Sequence, residues 1–290
     1  MPESSLLAPL LRWYDDHKRV LPWREPTVGG WEVMVSEVML QQTPVARVLP
    51  AYEAWIARWP TPAGLAADTP GDAVRMWGRL GYPRRALRLH AAATTIDAVH
   101  DGVVPSAYDE LRALPGIGDY TAAAVSAFAY RQRQLVLDTN VRRVLSRVLT
   151  AQEYPSTHLT RGERERAASV LPDDPEVSAC WNIAVMELGA LVCSARTPRC
   201  SACPLQRQCS WFAAGRPPHE GPPRRGQDYP GTDRQCRGRI LSALREAEGP
   251  VPAATVDATW NDPEQRERAL ASLLDDGLVV RLDQGAFGLP

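Results

Sequence analysis

Two carboxylates in this sequence sit where a charge is costly. Glu37 interrupts the run Val33, Met34, Val35, Val38, Met39 and Leu40. An acid in such surroundings is either satisfied by a partner from elsewhere in the chain or raised in pKa for acid chemistry. Asp138 follows the apolar pair Val136-Leu137 at the start of a helix whose core stripe is Val141, Val144, Leu145 and Val148. That position suits an N-cap as well as a reacting carboxylate. Four cysteines form a third constellation, with six residues between Cys193 and Cys200, two between Cys200 and Cys203, and five between Cys203 and Cys209. Zinc modules normally bring two close pairs of ligands, whereas here one Cys-x-x-Cys lies between wider gaps, a pattern better suited to a [4Fe–4S] cluster. Cys180 and Cys236 fall outside the spacing and read as buried thiols.

The elements that must position these groups are helical. Leu114-Pro115-Gly116-Ile117-Gly118 cannot continue a helix, so the chain reverses there into a hairpin between two helices, the second running from Tyr120 to Tyr130. Gly116 and Gly118 either serve that geometry alone or let backbone N–H groups approach a phosphate at the helix start. Further helices are expected over 5–20, from Trp31 into Gln41-Gln42-Thr43-Pro44, and over 45–58, 63–68, 70–79, 84–99, 163–171 and 176–192. Leu21-Pro22-Trp23-Arg24-Glu25-Pro26 breaks the first of them. In Gly78-Arg79-Leu80-Gly81-Tyr82-Pro83-Arg84-Arg85, the tyrosine is either an ordinary turn residue or a wedge for a base stack with phosphates held on each side. No strand pattern precedes residue 276. A Pro/Gly-rich linker over Gly215 to Gly231 leads to helices at Arg237–Glu246 and Asp262–Asp276 and a closing hairpin, LVVRL-DQG-AFGL. Such a winged-helix-like module binds DNA or merely packs.

Composition bounds the function. The chain has 290 residues, 44% hydrophobic and 23% charged, enough for two or three compact units. No stretch has the length of a membrane span and the N-terminus has no cleavage-site pattern, so a cytoplasmic protein that needs no membrane is expected. A net charge of −1 argues against indiscriminate nucleic-acid binding, but Arg75, Arg79, Arg84, Arg85 and Arg88 form a run without an acid and leave room for a local basic face. Of the 33 basic residues, Lys18 is the only lysine.

In chain order, SEVMLQQT, RLGY, LPGIGDYT, VLDTNVRRVLSR, MELGALVC and the cysteine spacing resemble the MutY-type adenine DNA glycosylases of the helix-hairpin-helix, Gly/Pro-rich loop, aspartate superfamily. The resemblance covers roughly residues 5 to 212 and implies a mainly α fold. It places a six-helix barrel domain at about 28–134 and an iron–sulfur domain built from 1–27 and 135–214, with the active cleft between them. The linker 215–231 and the module 232–290 follow. The implied substrate is adenine opposite 8-oxoguanine or guanine in duplex DNA, bound by a monomer at the bacterial nucleoid.

By this resemblance Glu37 protonates adenine N7 while Asp138 stabilises the cationic sugar. The chemistry needs one protonated and one ionised carboxyl. Asn140 holds that site and Tyr120 lies beside Glu37 and the sugar. Trp23 and Arg24 line the adenine pocket, Glu187 reads the Watson–Crick edge, Gln42 and Tyr82 fill the duplex at the mispair, and Gly116 and Gly118 hold a phosphate. Cys193, Cys200, Cys203 and Cys209 bind the cluster, which supports a loop carrying Arg196 and Arg199 toward DNA. Strand-cleaving relatives carry lysine where this chain has Tyr120, so base removal without efficient strand cleavage is expected.

Two departures stand out. Pro83 replaces a tyrosine common in the family, and residues 232–290 are too short for the Nudix-like domain that usually inspects 8-oxoguanine. A same-fold glycosylase for thymine opposite guanine is disfavoured by Glu37, since thymine has no N7. An iron–sulfur DNA-binding regulator would leave Glu37, Tyr120 and Asp138 without a role.

Overall fold

The computed structural model describes residues 4–219, 221 and 229–290; residues 220 and 222–228 of the expected linker lie outside the described residues. The chain is mainly helical. In order come α1 (Ser4–His17), α2 (Gly30–Leu40), α3 (Val45–Arg58), α4 (Pro62–Ala67), α5 (Pro70–Trp77) and α6 (Arg84–Val99). Then follow α7 (Tyr108–Ala113), α8 (Asp119–Tyr130), α9 (Thr139–Thr150), α10 (Arg161–Ala168), α11 (Pro175–Leu191) and α12 (Ser210–Ala213). After the linker stand α13 (Asp233–Glu246), α14 (Ala253–Asp257) and α15 (Pro263–Asp275), with strands β1 (Val280–Arg281) and β2 (Phe287–Gly288). Local chemistry sets many of these starts. Thr61, Thr69, Thr160, Asp174 and Asp262 each accept a backbone N–H at a helix N-terminus, and proline follows directly in α4, α5, α11 and α15.

Contacts group the chain into two units. The first comprises residues up to Val33, Ser106–Arg112 and Gly118–Pro223. Its core joins Leu6, Leu10 and Trp13 of α1 to Val141, Val144 and Val148 of α9 and to Trp181, Val185 and Leu188 of α11. The Val141, Val144 and Val148 stripe read from the sequence thus closes on apolar residues of α1 and α11. The second unit comprises Met34–Pro105, Ala113–Ile117 and Arg224–Pro290, so the boundary falls inside α2.

In the second unit Trp55, Trp59 and Trp77 meet edge to face, with Trp55 centroids 4.6 Å and 5.6 Å from the other two. The C-terminal module packs α13 against α15, with Cys236, Ile240, Leu244 and Leu273 buried. Its two strands pair antiparallel, and Val251 and Phe287 exchange both backbone hydrogen bonds at 2.8 Å. The expected helices plus hairpin are therefore present, together with a short α14 that the sequence pattern did not show.

Candidate active site

Asp138 caps α9 and is also half-buried, so the two readings of this residue are compatible. One carboxylate oxygen accepts the Val141 N–H at 2.6 Å and the other accepts the Asn140 side-chain amide at 2.9 Å. Burial pushes its pKa above the ordinary value of 3.8, opposed by these hydrogen bonds and by the Arg143 guanidinium. Asn140 is itself held. Its Oδ1 accepts from Arg143 at 2.8 Å, and the same buried Arg143 donates to the Gly189 and Cys193 carbonyls at 2.8 Å and 2.9 Å. Gly189 is required there, since a Cβ at that position would lie 2.7 Å from the Asn140 Cβ.

Tyr120 stands on the first turn of α8, half-buried against the small cluster Ala123, Ala124, Ala127 and Val136. Glu37 lies on α2 in the other unit and is 5% exposed. In the hairpin loop Gly116 has φ +74° and no room for a side chain, its would-be Cβ being 2.5 Å from Arg88 Cβ. Gly118 precedes α8 as an exposed N-cap with no side-chain cap and open space about it. An acid, Asp119, follows at once and pairs with Arg112 at 2.6 Å.

Glu187 is held by two cations of the chain itself. Its side chain is fully buried, and its oxygens accept from the Arg19 backbone N–H and guanidinium at 2.7–2.9 Å and from Arg24 at 3.0 Å. Burial alone would raise its pKa; the two arginines outweigh that and bring it down to about 2. In this conformation both oxygens are engaged by the protein's own cations, and neither is free to read a base edge. Arg19, which the sequence reading passed over, is the main partner. Its signal was its place three residues before the Pro22-Trp23-Arg24 turn, where Trp23 is buried.

Arg85 is a second functional candidate that sequence reasoning took only as part of a basic run. It is 6% exposed, and its guanidinium donates to the Val38, Met39, Gln41 and Gly81 carbonyls and to Thr43 Oγ1 at 2.7–3.0 Å. It thereby caps the helix that carries Glu37 and ties together two loops. Each loop presents an exposed side chain on a backbone of positive φ, Gln42 at 56° and Tyr82 at 47°. Such conformations are costly for residues with a Cβ and persist only when the surroundings enforce them. The expected basic face shrinks accordingly. Arg85 points inward, and Arg75 and Arg84 are engaged within the second unit.

Cys193, Cys200, Cys203 and Cys209 line one small open pocket together with Arg147 and Trp211. Among the described residues no three acidic, histidine or cysteine side chains converge tightly enough to hold a single metal ion. Burial, reinforced by the neighbouring thiols, pushes Cys203 up to about 12. Arg147 is fully buried, stacks on Trp211 at 4.6 Å and donates to Cys193 Sγ at 3.3 Å. Of the two thiols outside the spacing, Cys236 is buried and Cys180 only half-buried. Arg196 and Arg199 are exposed on the cysteine loop, Arg199 donating to the Leu191 carbonyl at 2.6 Å.

A helical hairpin, a Gly/Pro turn and an enclosed aspartate at the next helix start define a class of protein. Residues 35–169 match the model of the HhH-GPD superfamily base excision DNA repair proteins. Solved structures of a thermostable thymine-DNA glycosylase and of an endonuclease III–DNA complex share the fold, with TM-scores of 0.65 and 0.62 at 22% and 20% identity. They cover 73% and 74% of this chain, and it covers 97% and 98% of theirs.

Within that class the chain belongs to the adenine DNA glycosylases of base-excision repair, enzymes that hydrolyse an N-glycosidic bond in DNA. It is 51% identical to the adenine DNA glycosylase of Mycobacterium tuberculosis over all of this chain and 97% of that one. The Mycolicibacterium smegmatis enzyme is also 51% identical, over 97% of this chain and 94% of its own. The human enzyme is 40% identical, over 71% of this chain and 39% of its own.

Proposed function

We propose that this glycosylase releases adenine paired with 8-oxoguanine or guanine and leaves the strand uncut. Adenine is a poor anion to expel, so the barrier falls most when N7 is protonated as the sugar becomes cationic. Glu37, buried on an apolar helix, serves as the acid. Asp138 faces the sugar as carboxylate, held by Asn140. Tyr120 borders the reacting centre, Trp23 and Arg24 the base pocket, and Gln42 and Tyr82 enter the duplex where the adenine has left the stack. Backbone N–H groups at Gly116 and Gly118 take a phosphate. Glu187 contributes by orienting Arg19 and Arg24.

The observation that carries the uncut-strand reading is the absence of an amine at the hairpin. Tyr120 occupies the start of α8, while Lys18, the only lysine, is exposed and paired with Asp15 at 3.3 Å. A Schiff base with the sugar therefore has no lysine at the hairpin to form on.

Cys193, Cys200, Cys203 and Cys209 would hold a [4Fe–4S] cluster. The fit rests on four thiols around one open pocket and on half-buried thiols whose raised pKa a cationic cluster would reverse. When bound, the group supplies a rigid anchor that crosslinks the loop 193–209. We place the enzyme in the cytoplasm, as a monomer on nucleoid DNA.

The test incubates the enzyme with duplexes carrying adenine opposite 8-oxoguanine, adenine opposite guanine, thymine opposite guanine and 8-oxoguanine opposite cytosine. Alkali-dependent breaks at the two adenines alone are expected, with no borohydride-trapped adduct. Breaks at thymine, or breaks without alkali, would overturn the reading. Cys200→Ser should lose iron and the visible absorption of the cluster.

A further inference from the structure

The C-terminal module takes hold of both helices that flank the Tyr82 loop. On the α5 side the grip is reciprocal. Arg75 of α5 donates to the Arg245 carbonyl, to the Leu244 carbonyl at 3.5 Å and to the Ala247 carbonyl at 2.8 Å, capping the end of α13. Arg245 of α13 donates back to the Val74 carbonyl of α5 at 3.0 Å, and burial brings its guanidinium down to about 10. Gly71 of α5 abuts the last residues of the chain, so closely that a Cβ there would lie 2.3 Å from the Pro290 carbonyl oxygen.

On the α6 side, Asp276, directly after α15, accepts from Arg84 at 2.9 Å and from Arg237 of α13 at 2.5 Å. Arg84 is the first residue of α6, two positions after Tyr82. Between the clamped helices, Trp77 Nε1 of α5 donates to the Gly81 carbonyl at 3.0 Å, and Arg85 of α6 donates to that same carbonyl at 3.0 Å.

The loop thus hangs between two helices, both of which the module contacts. We infer that the C-terminal module is a positioning element for Tyr82, with Asp276 as its key residue, fixing how that side chain meets the base opposite the adenine. The inference rests on the reading of Tyr82 as the residue that enters the duplex. The pair with Arg84, whose guanidinium is exposed, contributes little stability. The contribution of Asp276 lies in geometry instead, as it joins α13, α15 and the root of α6.

The test is a double-mutant cycle in the full-length, cluster-loaded protein. Asp276→Asn, Asp276→Glu, Tyr82→Ala and the Asp276→Asn/Tyr82→Ala pair are compared by single-turnover release of adenine opposite 8-oxoguanine and opposite guanine. Melting temperature and the fluorescence of a 2-aminopurine beside the mispair are measured on the same samples. Asp276→Asn should slow release by about tenfold, within the size of coupling seen through shared networks, and lower the preference for 8-oxoguanine. It should also weaken the 2-aminopurine response, leave the melting temperature nearly unchanged and add nothing once Tyr82 is gone. Asp276→Glu should restore most of the rate. Equal loss in both backgrounds, or no loss in either, would overturn the inference. If Tyr82→Ala alone leaves rate and fluorescence unchanged, the reading of Tyr82 has failed, and that result is visible before the cycle is closed.

Discussion

Asn140 donates its side-chain amide to Asp138 Oδ2 at 2.9 Å while Asp138 Oδ1 accepts the Val141 N–H at 2.6 Å, so both oxygens of the enclosed carboxylate are directed by residues of its own helix. A carboxylate so held can face a developing sugar cation without rotating away.

The first prediction concerns its titration. The proposed mechanism uses Asp138 ionised, and burial raises its pKa, so the acidic limb of the single-turnover rate should lie above that of a free aspartate. Asn140→Ala removes a hydrogen bond that favours the ionised form and should move the limb to still higher pH. Asp138→Asn should cost about 10²–10⁴ in rate. A folded pKa above the free value contributes stability below the free value and loses it as pH rises through the folded pKa. Asp138→Asn, which keeps the cap, should therefore raise the melting temperature at neutral pH. A limb that stays put in Asn140→Ala would refute the account.

Gly189→Ala gives a second test. In most helix interiors this change stabilises by about 1 kcal/mol. Here the added methyl would meet Asn140 at 2.7–3.1 Å, on both side chain and backbone. The expected outcome is a loss of rate through displaced Asn140 and Asp138, with the absorption of the proposed cluster unchanged from wild type. Full activity would show that α9 gives way freely.

A third prediction follows from Glu187. Its depressed pKa of about 2 means that its ion pairs contribute stability above the unfolded value of 4.5 and lose it as pH falls from there toward about 2. Glu187→Gln leaves Arg19 and Arg24 facing a neutral amide and should cost about 3 kcal/mol at neutral pH. The difference from wild type should shrink across that acid window. Denaturant melts at several pH values measure it, and a pH-independent difference would count against the pairing.

Arg85 carries the fourth. Arg85→Lys keeps the charge but not the planar fork that reaches four carbonyls and a hydroxyl. Leaving buried carbonyls without donors costs about 1–3 kcal/mol each. The variant should melt well below wild type and lose rate on the duplexes that, in the proposed function, the Gln42 and Tyr82 loops enter. Wild-type stability in Arg85→Lys would mean that the two loops are held some other way.

Much of this molecule was legible in the sequence because its signals are local. Prolines, glycines and capping side chains mark the helix ends, so α3 and α6 begin and end where the periodicity places them, and the cysteine spacing alone picks out the four residues that share one cavity. The motifs also point to the right family. Where local signals run out, the tertiary structure decided. The first helix was expected to reach residue 20 but ends at His17, because the Arg19 N–H turns to Glu187, 168 positions away. The second ends at Leu40, where Arg85 takes its last carbonyls. Which arginine faces DNA and which is spent on a carbonyl, an acid or an aromatic ring is not written in a run of arginines. A guanidinium's partner is chosen by distances that exist only once helices far apart in the chain have packed.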